Sequence, residues 1–254
     1  MSETTSQARG NTATAHDARL LRWSVAAVWA LTGLLVFVPA YQAIGEQWLG
    51  RLGLPVWPMW LTCAFEVALA LRLLLGPSGA LLAVAQVAMV AGFTVILAAL
   101  EPMLLVHPLG MLSKNLPFVG VVAVVALVER EGWTRRAWWL LRWAVALIWL
   151  TEGLLPKIAF QQAWELGLAT QLQLPGEPAH LVAALGVAQA LSAVAALTLP
   201  RRPLRWLLGV QLAALIVLPC MVGWLEPQWW VHPFGPLTKN LPILAGTLVI
   251  WRRC

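Results

Sequence analysis

Glu226-Pro227-Gln228-Trp229-Trp230-Val231-His232-Pro233-Phe234-Gly235-Pro236-Leu237-Thr238-Lys239-Asn240-Leu241-Pro242 decides the fold, because the chain writes it twice. The earlier copy runs from Glu101 to Pro117 and repeats Glu101, Pro102, Val106, His107, Pro108, Gly110, Leu112, Lys114, Asn115, Leu116 and Pro117 at an offset of 125 residues. In a chain made mostly of Leu, Ala and Val, chance matches apolar letters. Here the matched letters are the rare polar ones and the prolines, which marks an internal repeat. A second register supports it: Leu20-Leu21-Arg22-Trp23 returns as Leu140-Leu141-Arg142-Trp143, and Gly33-Leu34-Leu35 as Gly153-Leu154-Leu155.

Around these copies the composition is that of a membrane protein. Hydrophobic residues make up 60% of the 254 and charged residues 11%, with a mean hydropathy of +0.77. That leaves too little polar surface to cover a soluble globule of this length. Eight apolar stretches of roughly 18 to 25 residues recur, each expected to be long enough to cross a ~30 Å hydrocarbon core as a helix. The expected fold is therefore all-α: a polytopic integral membrane protein of eight transmembrane helices, built as two parallel four-helix repeats. Each unit holds an even number of crossings, so the axis relating them lies along the membrane normal.

The expected organisation is a disordered tail over residues 1–18, a first unit over 19–129, a linker over 130–137 and a second unit over 138–254. Helices are expected at Leu20–Tyr41, Val56–Leu75, Gly79–Leu100, from the first motif to Glu129, and at Trp138–Phe160, Ala179–Leu199, Leu204–Leu225 and Leu241–Trp251. The first follows Arg19 and Arg22 as a leader would, but its repeat at Trp138–Phe160 argues that it is retained.

The net charge of +6 would suggest nucleic acid in a soluble protein. Here its distribution describes topology and no nucleic-acid partner is expected. Arginines cluster in the segments that fall on one side, from Arg9, Arg19 and Arg22 through Arg130, Arg135, Arg136 and Arg142 to Arg201, Arg202, Arg205, Arg252 and Arg253, with Arg72. Arg51 and all three lysines, Lys114, Lys157 and Lys239, fall on the other. By the positive-inside rule both termini are cytoplasmic and both motif copies face outward. Most tryptophans, including Trp23, Trp138, Trp139, Trp206, Trp229, Trp230 and Trp251, read as an interfacial belt. Cys63 and Cys220 read as small buried hydrophobes, and with no C-x-x-C a dithiol relay is not expected.

Helix rise sets the depth of the polar residues. Lys239 lies thirteen residues before Arg252, ~20 Å along a helix, short of the ~30 Å core. The Lys-Asn pairs should thus sit below the interface. Glu152, Lys157 and Glu66 reach similar depth, where a charge must pair or bind something. Two candidate clusters follow: Glu152, Lys157, Glu226, His232, Lys239 and Asn240 as a ligand site, and Glu66, Glu101, His107, Lys114 and Asn115 as its counterpart. Architecture is the competing reading, with Asn capping a helix and Pro in its first turn. Two histidines and two glutamates in separate loops do not make a metal site, so none is expected, and no residue is singled out as catalytic.

Arg142-Trp143, Glu152-Gly153-Leu154-Leu155-Pro156-Lys157 and His232-Pro233-Phe234-Gly235-Pro236-Leu237-Thr238-Lys239-Asn240 resemble the DoxX-like family, the DoxX/DoxD group of four-helix bacterial membrane proteins. The resemblance covers about residues 19 to 252 as two units fused in tandem. Where the family carries its Glu and Lys, the first unit has Thr32 and Phe37. The resemblance implies a multi-pass protein of the bacterial inner membrane. It further implies a membrane subunit or accessory of a redox system, with a membrane-associated oxidoreductase as partner and a quinone as the cofactor class. A small-molecule transporter or binder, and a scaffold without ligand, remain alternatives, and the resemblance does not decide whether the chain is an enzyme. The sequence contains no Gly-rich nucleotide loop preceded by a strand.

Overall fold

The computed structural model describes the backbone of residues 2–173 and 175–254, with side chains from Thr14 onward except at position 174. The described chain forms α1 (Ser2–Leu34), α2 (Pro39–Arg51), α3 (Trp57–Leu75), α4 (Gly79–Leu100), α5 (Met111–Glu131), α6 (Arg135–Leu154), α7 (Ala163–Gln171), α8 (Pro178–Thr198), α9 (Arg201–Leu225) and α10 (Asn240–Arg253). No strand occurs among the described residues. Short 3-10 turns cover Leu35–Phe37, Pro102–Leu105 and Pro227–Trp230, and a π-helical turn covers Leu155–Ala159.

Among the described residues, seven helical segments are long and apolar enough to cross a bilayer, in α1, α3, α4, α5, α6, α8 and α9. The eighth expected crossing is α10, whose 14 residues span only ~21 Å. Its C-terminal end nevertheless meets the entry of α1. Arg253 Nε and Nη2 lie 2.7 and 2.6 Å from Asp17 Oδ2, and one turn further in Arg22 Nη1 pairs with Glu129 Oε1 of α5 at 2.8 Å.

These pairs bear on the tail expected over residues 1–18. Its first residue and the side chains up to position 13 lie outside the described residues. Its backbone from Ser2 on belongs to α1, and from Thr14 on the helix is held by Asp17 and by the Trp133 indole donating to the Thr14 carbonyl at 3.1 Å. The partners come from the far end of the chain and from the linker, so composition alone did not reveal the order. Two further elements were not expected. Helices α2 and α7 each follow the first long helix of their unit, α2 after a break where Val38 turns extended and Pro39 occupies the first helical position.

Helix α1 packs on α3, and α6 packs on α8 in the same way. A glycine makes each approach close. A Cβ on Gly33 would stand 2.8 Å from the Cys63 carbonyl oxygen, and one on Gly153 would stand 2.5 Å from that of Gly186. Small residues at crossings are how membrane helices gain van der Waals contact when lipid removes the hydrophobic drive. The fourth long helix of each unit crosses over: α5 packs against α6, and α10 against α1. One apolar core therefore runs through both units, from Leu21, Val25 and Phe118 to Leu141, Val145 and Val249. Cys63 is buried as expected, whereas Cys220 is exposed on α9, whose outer face is apolar.

Candidate functional site

Each motif copy is a turn that delivers a Lys-Asn pair to the top of a helix. The His side chains shape the turn: His107 Nδ1 accepts from the Leu109 N–H at 3.1 Å, and His232 Nδ1 from that of Phe234 at 3.3 Å. The copies then diverge. Met111 opens α5 ahead of Lys114, but its counterpart Pro236 disfavours helical backbone in the residue before it. Gly235 there takes φ +63°, and α10 starts only at Asn240.

The crossing of α5 and α10 exchanges the lysines between units. Lys239 does not join Glu152 and Lys157. Its Nζ donates to Asn115 Oδ1 of the other copy at 2.8 Å and lies 3.7 Å from the centre of the Phe234 ring. Asn115 is fixed from its other end, its Nδ2 donating to Thr94 Oγ1 at 2.7 Å. Reciprocally, Lys114 reaches into the second unit, pairing with Glu152 Oε1 and donating to Asn240 Oδ1 at 3.0 Å. Each site takes its Lys from one motif copy and its Asn from the other. The two clusters expected from sequence are corrected accordingly, because proximity along the chain is overridden by the helix crossing.

The first site holds Glu66, Lys239 and Asn115. Glu66 is 6% exposed, and its Oε2 has no hydrogen-bond partner among the described residues. The Thr32 hydroxyl sits against its carboxyl group. Glu66 and Lys239 line one cavity of about 240 Å³ whose other walls are mainly apolar, including Trp29, Trp48, Met59, Phe93 and Phe118. Near it the Tyr41 hydroxyl and Cys63 Sγ are 3.1 Å apart. Phe37 is 70% exposed and contributes nothing to the site.

The second site is internally compensated. Besides the Lys114–Glu152 pair, Lys157 donates to the Glu152 carbonyl at 3.0 Å and pairs with Glu165 Oε1 at 2.5 Å. The π-helical turn containing Pro156 swings Lys157 inward, where it is buried. Two ammonium groups face two carboxylates around a smaller cavity of about 140 Å³. In the residues lining it, Trp149 Nε1, Gln189 Oε1 and the second oxygen of Glu165 are buried without a hydrogen-bond partner among the described residues.

The remaining expected residues lie nearer the outer loops. Glu226 accepts from Trp164 Nε1 at 2.7 Å and from Trp229 Nε1 at 2.8 Å, so Trp229 is tied inward and is not a belt residue. Glu101 pairs with Arg51. His107 stacks on Trp229 with ring centroids 5.2 Å apart, and His232 stands between Trp229 at 5.2 Å and Trp48 at 5.5 Å. Burial lowers both imidazoles to about 4, with Lys157 and Lys114 adding to the effect at His107, and Lys239 and His107 at His232. Both rings are neutral above that pH. No group of three or more metal-ligating side chains occurs among the described residues.

Sequence reasoning missed Thr32, Tyr41, Trp48 and Phe234 as cavity walls, and Glu165 as the partner of Lys157. Glu165 carried a signal, an acid eight residues after a buried Lys; the others belong to apolar or turn patterns that look alike everywhere in this chain. No curated protein and no solved structure matches the chain. A family model does match it twice, over residues 26–123 and 146–248, and on that double match, with the Lys-Asn motif closing each unit, the chain belongs to the DoxX-like family.

Proposed function

We propose that the first-unit cavity binds a lipophilic small molecule with a hydrogen-bonding head, and that the chain serves as a membrane subunit or accessory of a redox system. The observation that carries this reading is the unpaired Glu66 oxygen in the same apolar cavity as the Lys239 ammonium. A buried polar group without a partner costs about 1–3 kcal/mol, a cost that a ligand donating to Glu66 removes. A quinone and its reduced form fit both groups: a ring oxygen accepts from Lys239, and a ring hydroxyl donates to Glu66. Leu52, Leu54, Ile96 and Leu100 form apolar wall for the remainder of the molecule.

The same reading takes the chain as eight crossings in two parallel repeats, with both termini on the cytoplasmic side of a bacterial inner membrane. The meeting of Asp17 with Arg253 supports an even number of passages, and the arginine asymmetry supports the orientation. For the second unit, the mutual compensation of Lys114, Lys157, Glu152 and Glu165 favours an architectural role.

The test is solvent extraction of the purified protein with identification of what is released, together with redox difference spectra. A quinone retained by the parent chain and lost from Lys239→Met and Glu66→Leu is the expected result. A folded parent chain that carries no lipophilic molecule, and is not stabilised by added benzoquinones or naphthoquinones, would refute the proposal.

A further inference from the structure

At the opposite, arginine-rich end, a cavity of about 740 Å³ is lined by Arg135, Trp138, Trp139, Arg142, Arg201, Leu204, Ile250, Arg253 and Cys254. Four guanidinium groups converge on it and no Asp or Glu side chain lines it. Two of the four are held in place by the protein. Arg142 lies over Trp139 at 5.1 Å and spends Nε and Nη2 on the Ala196 carbonyl, at 3.0 and 2.6 Å. Arg253 lies over Trp133 and Trp138 at 5.2 and 5.3 Å and pairs with Asp17. The other two, Arg135 and Arg201, are exposed and have no acidic partner among the described residues.

Arg135 and Arg201 are also the first residues of α6 and α9. A cation at a helix N-terminus opposes the macrodipole, and neither helix has an acid in its first turn. Both features favour an anion between the two helix starts. Leu204 and Ile250, 3% and 4% exposed, belong to the apolar core and form the floor of the cavity, with Trp138 and Trp139 beside it.

We propose that this cavity is a binding site for the phosphodiester of an anionic phospholipid. Basic pockets between membrane helices recognise such headgroups, and a planar guanidinium fork matches phosphate oxygens. A zwitterionic lipid is disfavoured because its ammonium would be held among four arginines. This site is independent of the cavity holding Glu66 and Lys239.

The experiment uses the full chain in non-ionic detergent, with native mass spectrometry and thermal melts on adding phosphatidylglycerol, phosphatidylcholine or inorganic phosphate. Phosphatidylglycerol should bind and stabilise. At about fivefold per juxtamembrane arginine, Arg135→Gln with Arg201→Gln should weaken it roughly thirtyfold. Arg130→Gln with Arg252→Gln removes the same charge from the same end outside the cavity, and should cost less than about fivefold. Should the first pair not fold, Arg201→Gln alone is read, with about a fivefold loss expected. Equal binding of phosphatidylcholine, equal stabilisation by inorganic phosphate, or equal loss in the two paired variants would each overturn the assignment.

Discussion

Glu152→Leu should destabilise the protein because it strands Lys114 in the interior. Lys114 is 3% exposed and has two acceptors, Glu152 Oε1 and Asn240 Oδ1. Removing one partner of a buried pair costs about 3–5 kcal/mol. Glu152 retains 16% side-chain exposure and Asn240 still accepts from the amine, so the lower end, about 3 kcal/mol, applies. For a chain of this size that corresponds to a midpoint lowered by roughly 6–12 °C. Lys114→Met should cost at least as much, since it leaves Glu152 unpaired and takes the donor from Asn240. The double variant removes both charges and should cost less than either single change, giving a coupling of about 3 kcal/mol in a double-mutant cycle. Thermal or denaturant unfolding of the four proteins in one detergent measures it. Singles within about 1 kcal/mol of the parent, or a double equal to the sum of the singles, would refute the reading of this pair as a buried structural bridge.

Lys239→Met should behave oppositely. Among the described residues its ammonium has only Asn115 as a hydrogen-bond acceptor, so the midpoint should shift by no more than the equivalent of about 1 kcal/mol while lipophilic ligand is lost; a large drop in folded yield would count against ligand binding there. Trp29 and Trp149 occupy matching positions, but Trp29 Nε1 donates to Gln86 Oε1 at 2.9 Å while Trp149 Nε1 is unpaired. Trp29→Phe should therefore cost about 1–3 kcal/mol more than Trp149→Phe, and equal losses in unfolding experiments would contradict the hydrogen-bond assignment. Both motif imidazoles titrate at about 4 in the folded chain and near 6.5 when unfolded. The unfolded chain then binds more protons between those values, so stability rises with pH across that window and is lost as pH falls from about 6.5 toward 4. Melting curves across it should flatten in His107→Phe with His232→Phe, and an unchanged acid slope would exclude the histidines as its source. Gln228 is exposed while Asn240 is 5% exposed, so a cysteine at 228 should react with aqueous maleimide and one at 240 should not; equal labelling would remove the burial of the Lys-Asn pair.

Much of the fold was legible along the chain because a bilayer imposes a strong local rule. Each crossing must satisfy its own backbone hydrogen bonds, so it declares itself as a long apolar run ended by turn residues. The expected helix at Gly79–Leu100 matches α4, and those at Val56–Leu75 and Ala179–Leu199 lie within one residue of α3 and α8. The rare polar letters of Glu101–Pro117 and Glu226–Pro242 likewise revealed the motif and its two copies. Helices α2 and α7 were not legible, since short segments of mixed polarity carry no such rule.

Which lysine faces which acid was decided by tertiary structure alone. Sequence order groups Lys239 with Glu152 and Lys157, but α10 packs on α1 and α5 on α6, and that crossing sends each Lys into the other unit. No local pattern encodes the exchange, because it depends on where two helices far apart in sequence cross. The sequence by itself determined that charges had to lie below the interface and be paired or liganded. Only the packed bundle determined that the second unit pairs Lys114 and Lys157 with Glu152 and Glu165, while the first places Glu66, one oxygen of which is buried without a hydrogen-bond partner among the described residues, in the lining of a cavity it shares with Lys239.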